Sequence, residues 1–135
     1  MSTDRFPSTE AQLALAARFG LPHTNRMQDW EYEVADVGRF DEFLAAYTPS
    51  LPADERLSLM EILIQCVEDS AFGGESDSYW NRVRPLLDAN RTIHAGTINY
   101  WACLDAENED EMFHVSSRMR SLLGGSHEQL GGNDA

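Results

Sequence analysis

The order of apolar and polar positions predicts a succession of short helices. Ser8 or Thr9 can cap a first one that Gly20 and Pro22 close, with Leu13, Ala16, Ala17 and Leu21 as a modest apolar stripe. Asp36 can cap another, in which Val37, Phe40, Leu44 and Tyr47 recur at spacings of three and four until Pro49 and Pro52 stop it. From Ala53 to about Phe72, apolar residues cover most of the helix surface, and Asp54, Ser58, Glu61, Gln65 and Glu68 form a narrow polar strip expected to face water. Such a helix belongs at the centre of a fold.

Gly73 and Gly74 break the chain, and Tyr79, Trp80, Val83, Leu86 and Leu87 then continue a helical pattern that Pro85 should kink or divide. Ile93, Thr97, Tyr100, Trp101 and Leu104 mark one face of a helix beginning at Thr92. A short helix over 118–123 should end at Gly124 and Gly125. Residues 29–35 alternate large apolar and acidic side chains with period two, the pattern of a strand. A strand there needs a partner, for which only 112–115 qualifies, so a single helical turn competes with it. The fold class expected is mainly α: an irregular bundle of about six short helices around a central helix, with one short strand pair as the open alternative.

At 135 residues the chain has the size of one domain, and a domain of that size buries roughly two-thirds of the surface its unfolded chain exposes. The composition, 42% hydrophobic and 10% aromatic, is that of a globular protein and not of a disordered acidic chain. One helical domain over 8–123 is expected, between flexible tails at 1–7 and 124–135. Cys66 and Cys103 stand apart among apolar residues and read as buried free thiols. No leader and no apolar run long enough to span a membrane is evident, so the protein is expected to stay in the cytoplasm.

Charge sharpens this picture. Twenty-three acids oppose 10 basic residues, every one an arginine, for a formal net charge of −13. Nucleic acid is excluded as a partner by that sign. The charge is also segregated: residues 29–77 hold thirteen acids against Arg39 and Arg56, and 105–111 add five acids with no base.

No catalytic pattern emerges. His23, His94, His114 and His127 show no close ligand spacing, so no metal is expected, and His94 should pack beside Asn99 and Tyr100 on a half-buried helix. The run from Asp105 to Glu111 suggests calcium only superficially, because Asp110 stands where the calcium loop needs glycine. Paired carboxylates are too numerous to distinguish any acid/base pair, and neither cysteine lies beside a histidine. The glycine pairs lack a phosphate-binding motif around them, and no cofactor is expected.

Aromatic residues bracketed by acids point instead to a protein partner. Trp30 and Tyr32 among Asp29, Glu31 and Glu33 would suit a basic protein surface, since Trp and Tyr anchor binding hot spots. The acids Asp105, Glu107, Glu109, Asp110 and Glu111 would join them by steering a cationic partner. Three segments, DWEYEVAD at 29–36, LMEILIQCVED at 59–69 and TIHAGTINYWACLD at 92–105, resemble a group of small acidic bacterial proteins of unassigned function with an immunity-protein-like character. The resemblance spans about residues 8 to 123 and brings no functional residues with it. The function expected is therefore a non-enzymatic binding protein, an immunity or antitoxin-like protein that neutralises a basic toxin. A self-associating helical adaptor and, behind it, a hydrolase using dispersed carboxylates are the alternatives.

Overall fold

The structure, a computed structural model, describes residues 8–24, 26–72, 74–108 and 112–131, with residue 72 and residues 124–131 described for their backbone alone. Among these it is all helical: α1 (Thr9–Phe19), α2 (Trp30–Val34), α3 (Phe40–Ala46), α4 (Ala53–Asp69), α5 (Ser76–Ala89), α6 (Arg91–Ala102) and α7 (Ser116–Gly131). Short 3-10 turns at Val37–Arg39 and Ser70–Phe72 precede α3 and follow α4.

The centre is α4, against which α1, α2, α3, α5 and α6 all pack, while α7 rests chiefly on α6. Leu57, Leu59, Met60, Ile62, Leu63, Ile64 and Cys66 of α4 are completely buried. Around them lie Leu15 and Phe19 of α1, Trp30 of α2, Phe40 and Phe43 of α3, Val83 and Leu87 of α5, and Trp101 of α6. Phe43 meets the edge of Phe19 at 5.0 Å between centroids, and Arg39 lies over both rings while pairing with Glu42 and donating to the Phe19 carbonyl. That one arginine ties the end of α1 to the start of α3.

Only part of the polar strip of α4 faces water as expected: Asp54 is exposed and Gln65 half-buried. Ser58 and Glu61 are buried and Glu68 is half-buried, because each serves another element. Glu68 accepts the backbone N–H groups of His114 and Val115, both at 2.9 Å, and so fixes the chain just before α7. Ser116 locks the same corner by donating to the Trp101 carbonyl at 2.7 Å and accepting from the Phe113 amide.

Several local expectations are corrected. Of the two readings left open for residues 29–35 the helical turn is the one that forms, and no strand occurs among the described residues; the carbonyl of Asp29 accepts from the amides of Tyr32 and Glu33 at 2.9 and 3.0 Å. The period-two pattern misled because Glu31 is itself core-facing, so Trp30, Glu31 and Val34 share the buried side at helical spacing. In α1 the buried stripe is Ala11, Leu15, Ala16 and Phe19, which carries the larger side chains, and Leu13 is exposed. Pro85 neither divides α5 nor ends it: Pro85 and Asn81 are exposed, where water can take the carbonyl that proline leaves unbonded. The last helix runs from Ser116 to Gly131 across Gly124 and Gly125, since glycine inside a helix costs about 1 kcal/mol without forbidding it. Of the two free thiols Cys66 is buried, where desolvation raises it to about 12, and Cys103 is only half-buried.

His94 is likewise not on a half-buried face beside Tyr100. It is fully buried, its Nε2 lies 2.6 Å from the Tyr47 hydroxyl, and Nδ1 finds no partner among the described protein atoms. Burial, and then the nearby Arg56, lower the imidazole to about 4.

Two tests follow from this core. Leu63→Ala should lose about 2 to 5 kcal/mol in urea unfolding, and a near-neutral value would remove α4 from the centre of the fold. Because folded His94 titrates below its ordinary 6.5, its contribution is complete above that pH and is lost as the pH falls toward 4. Relative to His94→Gln, the wild type should therefore lose about 3 kcal/mol between pH 7 and pH 4. A difference that stays flat across this range would contradict the buried neutral imidazole.

Candidate protein-binding surface

Beneath the surface marked by the sequence lies a buried carboxylate. Glu61 projects from α4 between α2 and α6, where its Oε1 accepts from the Tyr32 hydroxyl and the Trp101 indole, each at 3.0 Å, and its Oε2 accepts from the Thr97 hydroxyl at 2.7 Å. All three donors are neutral. Burial dominates the electrostatics and, with the Glu31 carboxylate nearby, pushes Glu61 above the ordinary value for a glutamate, while the hydrogen bonds from Trp101, Thr97 and Tyr32 pull the other way. The Tyr32 phenol is raised in turn, first by burial and then by Glu61.

Glu31 occupies a second buried position. Its Oε2 accepts from the Gln12 amide at 2.8 Å and from the Ser58 hydroxyl at 2.9 Å, and Gln12 reaches on to His23 Nε2 at 2.9 Å. Trp30 is completely buried next to this network, with its indole donating to the Pro22 carbonyl at 2.7 Å. The expectation that Trp30 and Glu31 contact a partner is thus corrected: both are enclosed by α1 and α4, and their polar atoms are satisfied internally.

What remains outward gathers around Tyr100. Trp101 turns in to meet Glu61, so its neighbour Tyr100 turns out and is 54% exposed; Leu104, one turn further on, is 58% exposed. Tyr32, half-buried, stacks beside Tyr100 with centroids 6.5 Å apart and planes at 12°. Phe113 supports Tyr100 from below at 5.8 Å and Trp101 at 4.5 Å. Cys103 ends α6 in the left-handed region, φ 50°, which swings Leu104 and Asp105 away from the helix axis. Arg120 of α7 holds this corner by donating to the carbonyls of Ala102 and Cys103.

A shallow depression follows, lined by Asn99, Tyr100, Cys103, Leu104, Asp105 and Ala106. Asp105 lines the depression, and Asp29 raises the Tyr100 phenol together with partial desolvation, the larger effect. Asp29, Glu33, Asp105 and Glu107 are all exposed, Glu33 accepting from the Asp29 amide at 3.1 Å. The two acidic segments singled out in the sequence therefore converge on one aromatic patch through Tyr32 and Asp105. Glu109, Asp110 and Glu111 lie outside the described residues. Tyr100 and Leu104, the exposed centre of the patch, were missed because helical spacing assigned them to the buried face with Trp101.

No group of three or more His, Cys, Asp or Glu residues able to hold a metal ion occurs among the described residues. Nor is any helix among them long and apolar enough to cross a membrane. Comparison of the chain with protein-family models, with curated proteins and with solved structures gives no match in any of the three.

The Glu61 site has a signature in pH. Its folded-state value lies above the ordinary 4.5, so within that interval the folded protein keeps a proton that the unfolded chain has released. Relative to Glu61→Gln, the wild type should gain stability as the pH falls from 8 to 5, read from urea melts at each pH. A flat difference over that range, followed by a relative loss below the ordinary 4.5, would instead mean that the three donors hold Glu61 ionised.

Proposed function

We propose that this protein is a non-enzymatic, acidic protein-binding module of the immunity or antitoxin kind, acting in the cytoplasm by covering a basic toxin. The observation that carries the reading is the exposed pair Tyr100 and Leu104 set between acids of two separate segments. An aromatic and an aliphatic anchor supply the apolar centre of an interface, and the surrounding carboxylates supply attraction and partner choice. The buried carboxylates support the same reading from the other side. Glu31 and Glu61 accept two and three internal hydrogen bonds, so their oxygens serve the fold and not a substrate.

Self-association through the same patch is the competing reading, because two exposed apolar side chains invite a second copy. Charge opposes it: each copy carries a net −13, and pairing would bring Asp29 and Asp105 of both copies together.

The test uses the partner recovered with the full chain and compares association rates across ionic strength. Replacing Asp29 and Asp105 by Asn, and Glu33 and Glu107 by Gln, should slow association about tenfold at low salt and flatten its salt dependence, with the fold intact. Association at the wild-type rate would reduce the acids to a solubility feature. A concentration-dependent dimer in sedimentation, with no basic partner, would favour self-association instead.

A further inference from the structure

We propose that the depression beside Tyr100 is an arginine-binding subsite, in which a partner's guanidinium lies on the Tyr100 ring and pairs with Asp105 while its aliphatic stem packs on Leu104. The proposal rests on the reading of this surface as a docking site for a basic protein and names the side chain that enters it.

Three observations point to arginine. Tyr100 is the exposed end of a stacked pair whose inner member, Tyr32, is fixed by its hydrogen bond to Glu61, so the ring is held in place before anything binds. Two carboxylates serve the same place: Asp105 lines the depression with Tyr100, and Asp29 acts electrostatically on its phenol. The fold also uses the same combination twice internally. Arg39 lies 5.4 Å over the Phe43 ring and pairs with Glu42, and Arg82 lies 5.1 Å over Phe40 and pairs with Asp41. In each case a guanidinium covers an aromatic face while a carboxylate accepts from it, through two nitrogens of Arg39 and one of Arg82, a combination that suits a planar, forked cation better than a compact ammonium. Tyr100 and Asp105 present the same two elements to solvent, with Leu104 alongside for the methylene stem. The nearby Arg120 is engaged with the carbonyls of Ala102 and Cys103.

The experiment titrates the full, isotope-labelled chain with capped tetra-arginine, tetra-lysine and tetra-citrulline peptides at low salt, following backbone amide shifts. The expected result is saturable shifts centred on residues 99–106 and Tyr32, with arginine about two- to fivefold tighter than lysine, the increment a cation gains on an exposed ring. Tetra-citrulline should not bind. Tyr100→Phe should keep the arginine preference and Tyr100→Ala should abolish it, leaving arginine no better than lysine; the exposure of this side chain makes both changes compatible with folding. Equal affinity for arginine and lysine in the wild type would overturn the subsite. Shifts centred elsewhere on the acidic surface would also overturn it, while leaving the basic-partner reading standing. Absence of binding by either cationic peptide would remove both.

Discussion

The arrangement of the helices around the aromatic patch depends on one buried carboxylate held by three neutral donors. Glu61 sits on the most enclosed helix of the molecule and receives donors from α2 and from two successive turns of α6. Removing such an oxygen from water is costly, and neutral donors offset that cost only when they are placed in advance. Of the three, the indole of Trp101 can only donate, whereas the hydroxyls of Tyr32 and Thr97 can reverse direction. The site therefore accommodates either a carboxylate or a carboxylic acid, which is consistent with burial raising its proton affinity. Either way the polar atoms set the rotation of α6 about its axis, because Thr97 and Trp101 must both face α4.

That rotation decides what the outside can do. With Trp101 committed inward, the adjacent position points away, and Tyr100 becomes a surface residue despite its size. The left-handed backbone at Cys103 then ends the helix before Leu104 can fold back onto the core. Arg120 satisfies the last carbonyls from α7, and Glu68 and Ser116 fix where α7 begins. A chain of internal polar contacts thus fixes an apolar feature at the surface. Solvent exposure of Tyr100 and Leu104 is a consequence of satisfied buried groups more than of any local preference for water.

The mainly helical class and the central place of α4 were legible in the sequence because they follow from apolar spacing and proline. Direction was less so. An apolar helix with one polar strip ordinarily turns that strip to solvent, and the spacing of Ser58, Glu61, Gln65 and Glu68 carries no mark that says otherwise. The mark lies in the partners: Glu31 and Tyr32 on α2 and Thr97 and Trp101 on α6 are polar or mixed side chains distant in sequence from α4, and nothing short of the tertiary arrangement brings them to it. The same blindness hid Trp30, whose acidic neighbours looked like a rim although one of them, Glu31, is part of the core. The convergence of 29–33 with 99–106 was legible only as two acidic segments, and the aromatic pair that joins them, Tyr32 with Tyr100, was not.

The distribution of arginine completes the electrostatic argument. Arg39, Arg82, Arg91 and Arg118 pair with acids and Arg56 and Arg120 bind side-chain or backbone oxygens at seams between segments, so much of the positive charge works inside the fold. These contacts also remove Glu42, Asp41, Asp88 and Asp77 from the set of uncompensated acids. Segments without arginine, among them 29–33 and 105–108, carry an excess of acids in the sequence. Within a Debye length of about 8 Å at physiological salt, acids clustered on those segments reinforce one another, whereas acids paired along a seam largely cancel. For the basic partner proposed above, acids beside the exposed aromatic patch would let attraction over distance and apolar contact at short range act at one place.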